Sequence, residues 1–305
     1  MQHRDALSRR QLLGAAALGL GLPAVRPLWA AEREPDVIVL GAGLAGLNAA
    51  LLLEQFGLSV RVIEARARVG GRLYTLDQVP GRPEAGGNQL AAGYARTVAM
   101  AQQLGVALAT SGASPLMRPD RMVYDIGGQR IAAADWAASP LNPLPAALRA
   151  LPPERALARL AGPHPLAALS DWREAVAAPF DRSLLDHLRS QGLADAALRL
   201  FATNNSYGRT LDETSLLTLL YVQANTAEVM KIKGPLQNVR GGNQRLPEAM
   251  AAALKGPVLL NTRVSAVDSD ARGASVRCAD GSHHRARYLV CTLPLPALRG
   301  IRFNP

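Results

Sequence analysis

Cysteine, lysine and aromatic residues are all scarce in this 305-residue chain, and each scarcity excludes something. Two cysteines, Cys278 and Cys291, cannot build a disulfide framework or a four-thiolate zinc site. One disulfide between them, or two half-buried thiols, both stay open. Only three lysines occur (Lys231, Lys233, Lys255), aromatics make up 4% of residues, and the arginines are scattered. The net charge of +10 therefore forms no basic stripe interleaved with stacking rings, and a nucleic-acid partner is not expected. There is no Gly-x-Ser-x-Gly elbow of the kind that serves an α/β hydrolase. His283 and His284 are neighbours on a predicted strand and point to opposite faces, while His164 and His187 lack a Cys or acid partner at ligand spacing, so no metal site is expected.

What is present suits a globular protein of roughly two domains, since 49% of residues are apolar and 19% charged. Residues 1–31 read as an export signal. Arg9-Arg10 precede an apolar stretch, Leu12 to Leu22, which is about half the length that spans a bilayer core. The paired arginines resemble the twin-arginine signal, and Leu28-Trp29-Ala30-Ala31 offers a cleavage site. An uncleaved amphipathic anchor is the other reading. The expected destination is the bacterial periplasm.

Asp36 to Leu40 reads as an apolar run of strand length, followed at once by Gly41-Ala42-Gly43-Leu44-Ala45-Gly46 and a helical stretch, Leu47 to Phe56. A second β-branched run, Ser59 to Ile63, ends in Glu64, 18 residues after Gly46. This strand–turn–helix–strand unit is the dinucleotide-binding fingerprint: Gly41 for the tight turn, Gly43 for close approach of a pyrophosphate, Gly46 for helix–strand packing. The helix N-terminus offers N–H groups to the phosphates, and Glu64 can accept hydrogen bonds from both ribose hydroxyls.

Glu64-Ala65-Arg66-Ala67-Arg68-Val69-Gly70-Gly71-Arg72 then runs from the ribose-binding acid into a second glycine pair between arginines. Here the chain resembles the flavin-containing amine oxidase family. The resemblance continues in Glu84-Ala85-Gly86-Gly87-Asn88-Gln89, in Gly241-Gly242-Asn243-Gln244-Arg245-Leu246-Pro247, and in Tyr288 to Pro294. It implies an α/β fold: a Rossmann-like FAD-binding domain with an inserted, largely helical substrate domain. The expected boundaries are 32–125 for the first FAD-binding segment, 126–235 for the substrate domain and 236–305 for the return to the FAD domain.

The resemblance implies FAD as cofactor, with the ribose on Glu64 beside Ala65, and the diphosphate near Leu44, Ala45, Arg66, Gly70, Gly71 and Arg72. Gly86, Gly87, Asn88 and Gln89 would pass under the flavin ring, and Val264 would meet the adenine. The implied activity is oxidation of an amine C–N bond by hydride transfer to flavin, with oxygen or another acceptor taking the electrons. Asn88-Gln89 stand where L-amino-acid oxidases of the family carry an arginine, which favours an amine over an amino acid. Carotenoid desaturation and porphyrinogen oxidation are the enzymatic alternatives. The family pattern continues beyond the position matching Pro305, so the C-terminal part of the family fold is expected to be absent. A truncated remnant, or a subunit completed by a second chain, is therefore the non-catalytic alternative. No catalytic side chain is assignable.

Among the remaining elements, Tyr124 to Ile131 reads as a hairpin with a Gly-Gly turn, and Ser183–Leu188 and Leu193–Phe201 read as amphipathic helices. Val258 to Val267 reads as one strand. Asp280-Gly281 is expected to turn Ala274–Cys278 into Arg285–Cys291.

Overall fold

The computed structural model describes residues 34–111, 122–163, 165–203 and 205–304. The leader, residues 1–31, and His164 lie outside the described residues.

The chain opens with β1 (Val37–Leu40), every residue of which is buried, then α1 (Leu44–Gln55) and β2 (Val60–Ile63). β1 and β2 run parallel with Val37 opposite Val60 and Leu40 opposite Ile63. Such a run is apolar throughout because a parallel sheet is covered on both faces. Val37 and Val39 pack with Leu47 and Ala50 of α1, whereas Ile38 and Leu40 join a separate core with Val264, Val267 and Val276. The period of two along the strand thus feeds two cores.

α2 (Ala95–Gln103) and β3 (Leu108–Thr110) follow, then the hairpin of β4 (Val123–Ile126) and β5 (Gln129–Ala132). Its turn residues Gly127 and Gly128 have φ of +60° and +82°, as a two-residue hairpin loop requires. Next come α3 (Pro153–Ala161), α4 (Leu184–Ser190), α5 (Asp195–Thr203) and α6 (Leu216–Lys231). Leu184, Leu188, Phe201, Leu216 and Leu220 form the centre of their common core, on which Tyr124 and Trp136 also pack, ring centroids 4.5 Å apart. His187 is buried on its margin: Arg182 donates to Nδ1 at 2.9 Å, so Nε2 carries the hydrogen and donates to the Leu160 carbonyl at 2.9 Å. That makes it a structural tie between α3 and α4.

β6 (Gln237–Val239) pairs antiparallel with β3, and α7 (Arg245–Ala252) leads to β7 (Val258–Leu259) at the edge of the parallel sheet. β8 (Val264–Asp270), β9 (Gly273–Cys278) and β10 (His283–Ala286) form an antiparallel meander, and β11 (Tyr288–Cys291) returns to pair parallel with β1. A short α8 (Leu295–Leu298) and β12 (Arg302–Asn304), parallel to β8, follow. The two larger sheets have strand orders β11-β1-β2-β7 and β10-β9-β8-β12. No helix among the described residues is long and apolar enough to cross a membrane.

Three expectations are corrected. The run 258–267 is two strands, broken at Asn261, whose φ of +55° takes the chain out of one sheet and into the other. The arm 285–291 is likewise two strands, because β10 ends where Ala286 meets Ala274 near the start of β9, and Tyr288 begins pairing with Val37. Cys278 and Cys291 consequently end strands of different sheets, and both thiols are free. Burial pushes the Cys278 thiol above its ordinary range, while Cys291 is exposed.

Candidate functional site

Gly41, Gly43, Gly46, Glu64, Gly70 and Gly71 are brought together at the C-terminal ends of β1 and β2. Gly41 adopts φ +99° and donates its N–H to the Ile63 carbonyl at 2.8 Å. A Cβ on Gly46 would stand 1.9 Å from the Gly41 carbonyl oxygen, so this position requires glycine for helix–turn packing. Gly43 is different: a Cβ there would meet nothing within 4 Å. The open space lies at the N-terminus of α1, which has no side-chain cap, so the N–H groups of Leu44, Ala45 and Gly46 are the ones the helix leaves for a ligand.

Glu64 is buried at the end of β2. One carboxylate oxygen accepts the Ala42 N–H and the other the Arg66 N–H, both at 2.9 Å. Its backbone donates to the Leu259 carbonyl and accepts from Thr262, and Asn261 donates to the Arg66 carbonyl, so the break between β7 and β8 clamps the acid in place. Beside it lies a cavity of about 310 Å³ whose lining is mostly apolar, with Leu40, Ile63, Val264 and Leu293, and includes the polar Thr262 and Arg263. Val264, expected at the adenine, lines the same cavity as Ala65.

The second glycine pair folds back onto the first turn. Gly70 donates to the Ala42 carbonyl at 2.8 Å, and a Cβ on Gly71 would stop 3.4 Å from the Gly43 Cα. Arg66 donates to the Gly71 carbonyl at 3.1 Å. Arg68, not among the expected site residues, is the organiser of this loop: it donates to the carbonyls of Val69 (3.1 Å), Gly71 (3.0 Å) and Leu73 (2.9 Å) and lies 4.2 Å from the Tyr74 ring centroid. Its spacing gave no reason to separate it from Arg66. Arg72 is exposed and, among the described residues, makes no side-chain hydrogen bond or ion pair.

Gly86 and Gly87 are reached through an antiparallel ladder, in which Ala85 donates to the Tyr74 carbonyl and Gly87 to that of Arg72. A Cβ on Gly86 would sit 2.0 Å from the Arg72 carbonyl oxygen. Its missing side chain is thus used by the protein's own backbone, a different reason from the one the sequence suggested. Asn88 lends its carbonyl to the Asn238 amide, and Gln89 turns its side chain to the Ser111 hydroxyl at 3.2 Å. Thr292, also unanticipated, donates from just past the end of β11 to the Leu40 carbonyl at 2.8 Å and so braces the first turn from the other side.

Comparison with known proteins gives a consistent result. The family model described as flavin containing amine oxidoreductase matches residues 44–305. A flavin-containing amine oxidase of Danio rerio is 27% identical over 279 residues, which are 88% of this chain and 52% of that protein. Wild-type putrescine oxidase bound to putrescine superposes with a TM-score of 0.63 at 25% identity, covering 90% of this chain and 61% of the other. Cyclohexylamine oxidase from Brevibacterium oxydans shares the fold, with a TM-score of 0.66 at 24% identity over 89% of this chain and 60% of the other. The chain spans about half the length of the first of these relatives and about 60% of the solved structures.

Proposed function

The chain belongs to the flavin-containing amine oxidoreductase family, and from that premise we propose that it uses FAD to oxidise the C–N bond of a small amine. The family's cofactor is FAD, and the residues present fit it. Open space faces Gly43, the N-terminus of α1 is uncapped, and Arg72 is unengaged. Each Glu64 oxygen accepts one backbone N–H and keeps a lone pair for a ribose hydroxyl. The observation that carries the reading is this convergence of Gly43, Glu64 and Gly71 at the C-terminal ends of β1 and β2.

In this reading Leu44, Ala45 and Gly46 present N–H groups to the diphosphate, with Gly41, Gly70 and Gly71 shaping its approach and Arg72 neutralising its charge. Arg66 holds the loop through Gly71 and keeps the rest of its fork for phosphate. Ala65 and Val264 would hold the adenine, and the segment Gly86, Gly87, Asn88, Gln89 would serve the isoalloxazine. Bound there, the flavin supplies a two-electron acceptor that oxygen or another oxidant can regenerate. The chain's own residues bind, orient and exclude water. The core of α3 to α6 supports a substrate domain over residues 126–235. The family match favours amine oxidation over the desaturase and porphyrinogen-oxidase readings.

Two further parts belong to the proposal. Export by the twin-arginine route rests on Ser8-Arg9-Arg10 and the apolar stretch after it; Arg9→Lys with Arg10→Lys should abolish periplasmic recovery, and unchanged recovery would sink it. A second chain as a partner in flavin binding is the other part; if flavin affinity and activity do not change when a polypeptide carrying the rest of the family pattern is added in trans, that partner is removed from the reading.

The primary test is the visible spectrum of the purified chain after incubation with FAD and gel filtration. A flavin spectrum co-eluting with protein, together with peroxide formation and release of an aldehyde from putrescine or a ketone from cyclohexylamine, supports the reading. A colourless protein shows that these residues alone do not hold the cofactor.

A further inference from the structure

Four polar residues that the cofactor reading leaves unused meet next to Gly86 and Gly87. Thr75, Asn243 and Gln244 are 2%, 1% and 4% exposed, and Glu84 is half-buried. Thr75 Oγ1 donates to the Glu84 carboxylate (2.9 and 3.0 Å to its two oxygens), and the Asn243 N–H donates to Glu84 Oε1 at 2.7 Å. The Gln244 N–H donates to Thr75 Oγ1 at 3.0 Å, while its side chain donates to the Val69 carbonyl at 2.9 Å. Asn243 completes the knot: Nδ2 donates to the Gly87 carbonyl at 2.8 Å, and Oδ1 accepts the Val239 N–H at 2.8 Å. Two segments 159 residues apart are thereby joined.

The knot constrains one segment from two directions. Gly86 cannot approach the 72–74 segment more closely, because its Cα already packs against the Arg72 carbonyl. The Gly87 carbonyl cannot swing away, because the Asn243 amide holds it. Resting on the FAD reading above, we propose that Glu84 and Asn243 are positioning residues that fix the height and tilt of Gly86–Gly87 before the cofactor arrives. The flavin ring would then meet a preset floor and would not order it on binding. Preorganisation of this kind needs every member of a buried polar group to be satisfied, and the Asn243 side chain uses its acceptor and a donor in full view of the segment it holds.

The test uses the full chain and three variants. Asn243→Asp keeps the acceptor for Val239 and replaces the donor to Gly87 by an oxygen that repels the carbonyl. Glu84→Ala removes the acceptor for Asn243 and Thr75, whereas Glu84→Gln retains an oxygen for Asn243. Hydrogen exchange is followed in FAD-free protein for a peptide covering 85–90, with a peptide from 37–55 as the control for global folding. Exchange at 85–90 should rise roughly tenfold in Asn243→Asp and Glu84→Ala, about the effect of one lost hydrogen bond, and stay within about twofold in Glu84→Gln. With FAD bound, the visible absorbance and circular dichroism bands of Asn243→Asp should move relative to the parent.

Unchanged exchange in both disruptive variants would overturn the proposal. So would raised exchange with an unmoved flavin band, since the knot would then be structural only. A parent protein that holds no flavin would overturn the reading that this chain alone binds FAD, and the proposal with it, while the exchange data would still report on the knot by itself.

Discussion

The carboxylate of Glu64 accepts the backbone N–H of Ala42 at 2.9 Å, so the acid at the end of β2 holds the turn that follows β1. The same group takes the Arg66 N–H, and a cofactor ribose would complete its coordination. Glu64→Ala leaves two backbone donors without their acceptor in a buried place. The expected cost is about 1–3 kcal/mol of stability together with at least a tenfold loss of FAD affinity. Thermal melting and a flavin-fluorescence titration measure the two. An unchanged flavin Kd would take Glu64 out of the ribose site.

Gly43 and Gly46 are three residues apart and should fail in opposite ways. Gly43 has φ −76° and ψ 174°, a backbone any residue adopts, and open space where its side chain would be. Gly43→Ala should therefore melt within about 0.5 kcal/mol of the parent while losing FAD, because its methyl enters the space assigned to the diphosphate. Gly46→Ala drives a methyl against the Gly41 carbonyl and should cost about 1–3 kcal/mol or more before any ligand is considered. Equal flavin binding by Gly43→Ala and the parent would move the diphosphate elsewhere.

The arginines of the second loop divide in the same manner. Arg68 spends its fork on three carbonyls, so Arg68→Lys, which offers a point charge in place of that geometry, should lower stability and loosen 70–73. Arg72→Ala should leave melting within about 0.5 kcal/mol, since its side chain holds nothing among the described residues. Its effect should fall on FAD affinity and fade as salt rises, as expected for a solvent-facing guanidinium near phosphate. Salt titrations of Kd for parent and variant read this directly; parallel curves would count against a phosphate role.

What the sequence revealed and what it hid follow from the range of the forces involved. The β1–turn–α1–β2 unit was legible because strand period, glycine spacing and the acid at Glu64 all lie within thirty residues. The β4–β5 hairpin was legible from Gly127-Gly128 for the same reason. The turn at Asn261 was not, because nothing in a β-branched run marks where one sheet is exchanged for another; its φ of +55° answers to pairing partners at Glu64 and Arg66. The Glu84–Asn243 bond joins residues 159 apart and has no local signature. Gly86 was identified as special, but the carbonyl that requires it, Arg72, became visible only in the folded chain.

Acid should weaken the fold in part through Asp36, beside the entry to β1. Its carboxylate accepts the Ser59 hydroxyl at 2.7 Å and the Ser59 N–H at 2.8 Å, and these bonds, the hydroxyl first, hold its pKa below the ordinary carboxylate value. A folded pKa below the unfolded one favours folding while the group is charged. The contribution is therefore present above the unfolded value, about 3.9, and is lost as pH falls through the folded value. Asp36→Asn should melt below the parent at pH 6, and the gap should close on acidification below about pH 4. Several other carboxylates, Asp268 and Asp270 among them, are depressed too, so the parent's own acid slope is not diagnostic and the difference between the two proteins is what must be followed. Because hydrogen bonds lead the effect and the Arg287 charge contributes less, added salt should leave the gap largely intact. A gap that stays constant from pH 6 to pH 2.5 would mean that Asp36 stabilises the strand entry by its shape and not by its charge.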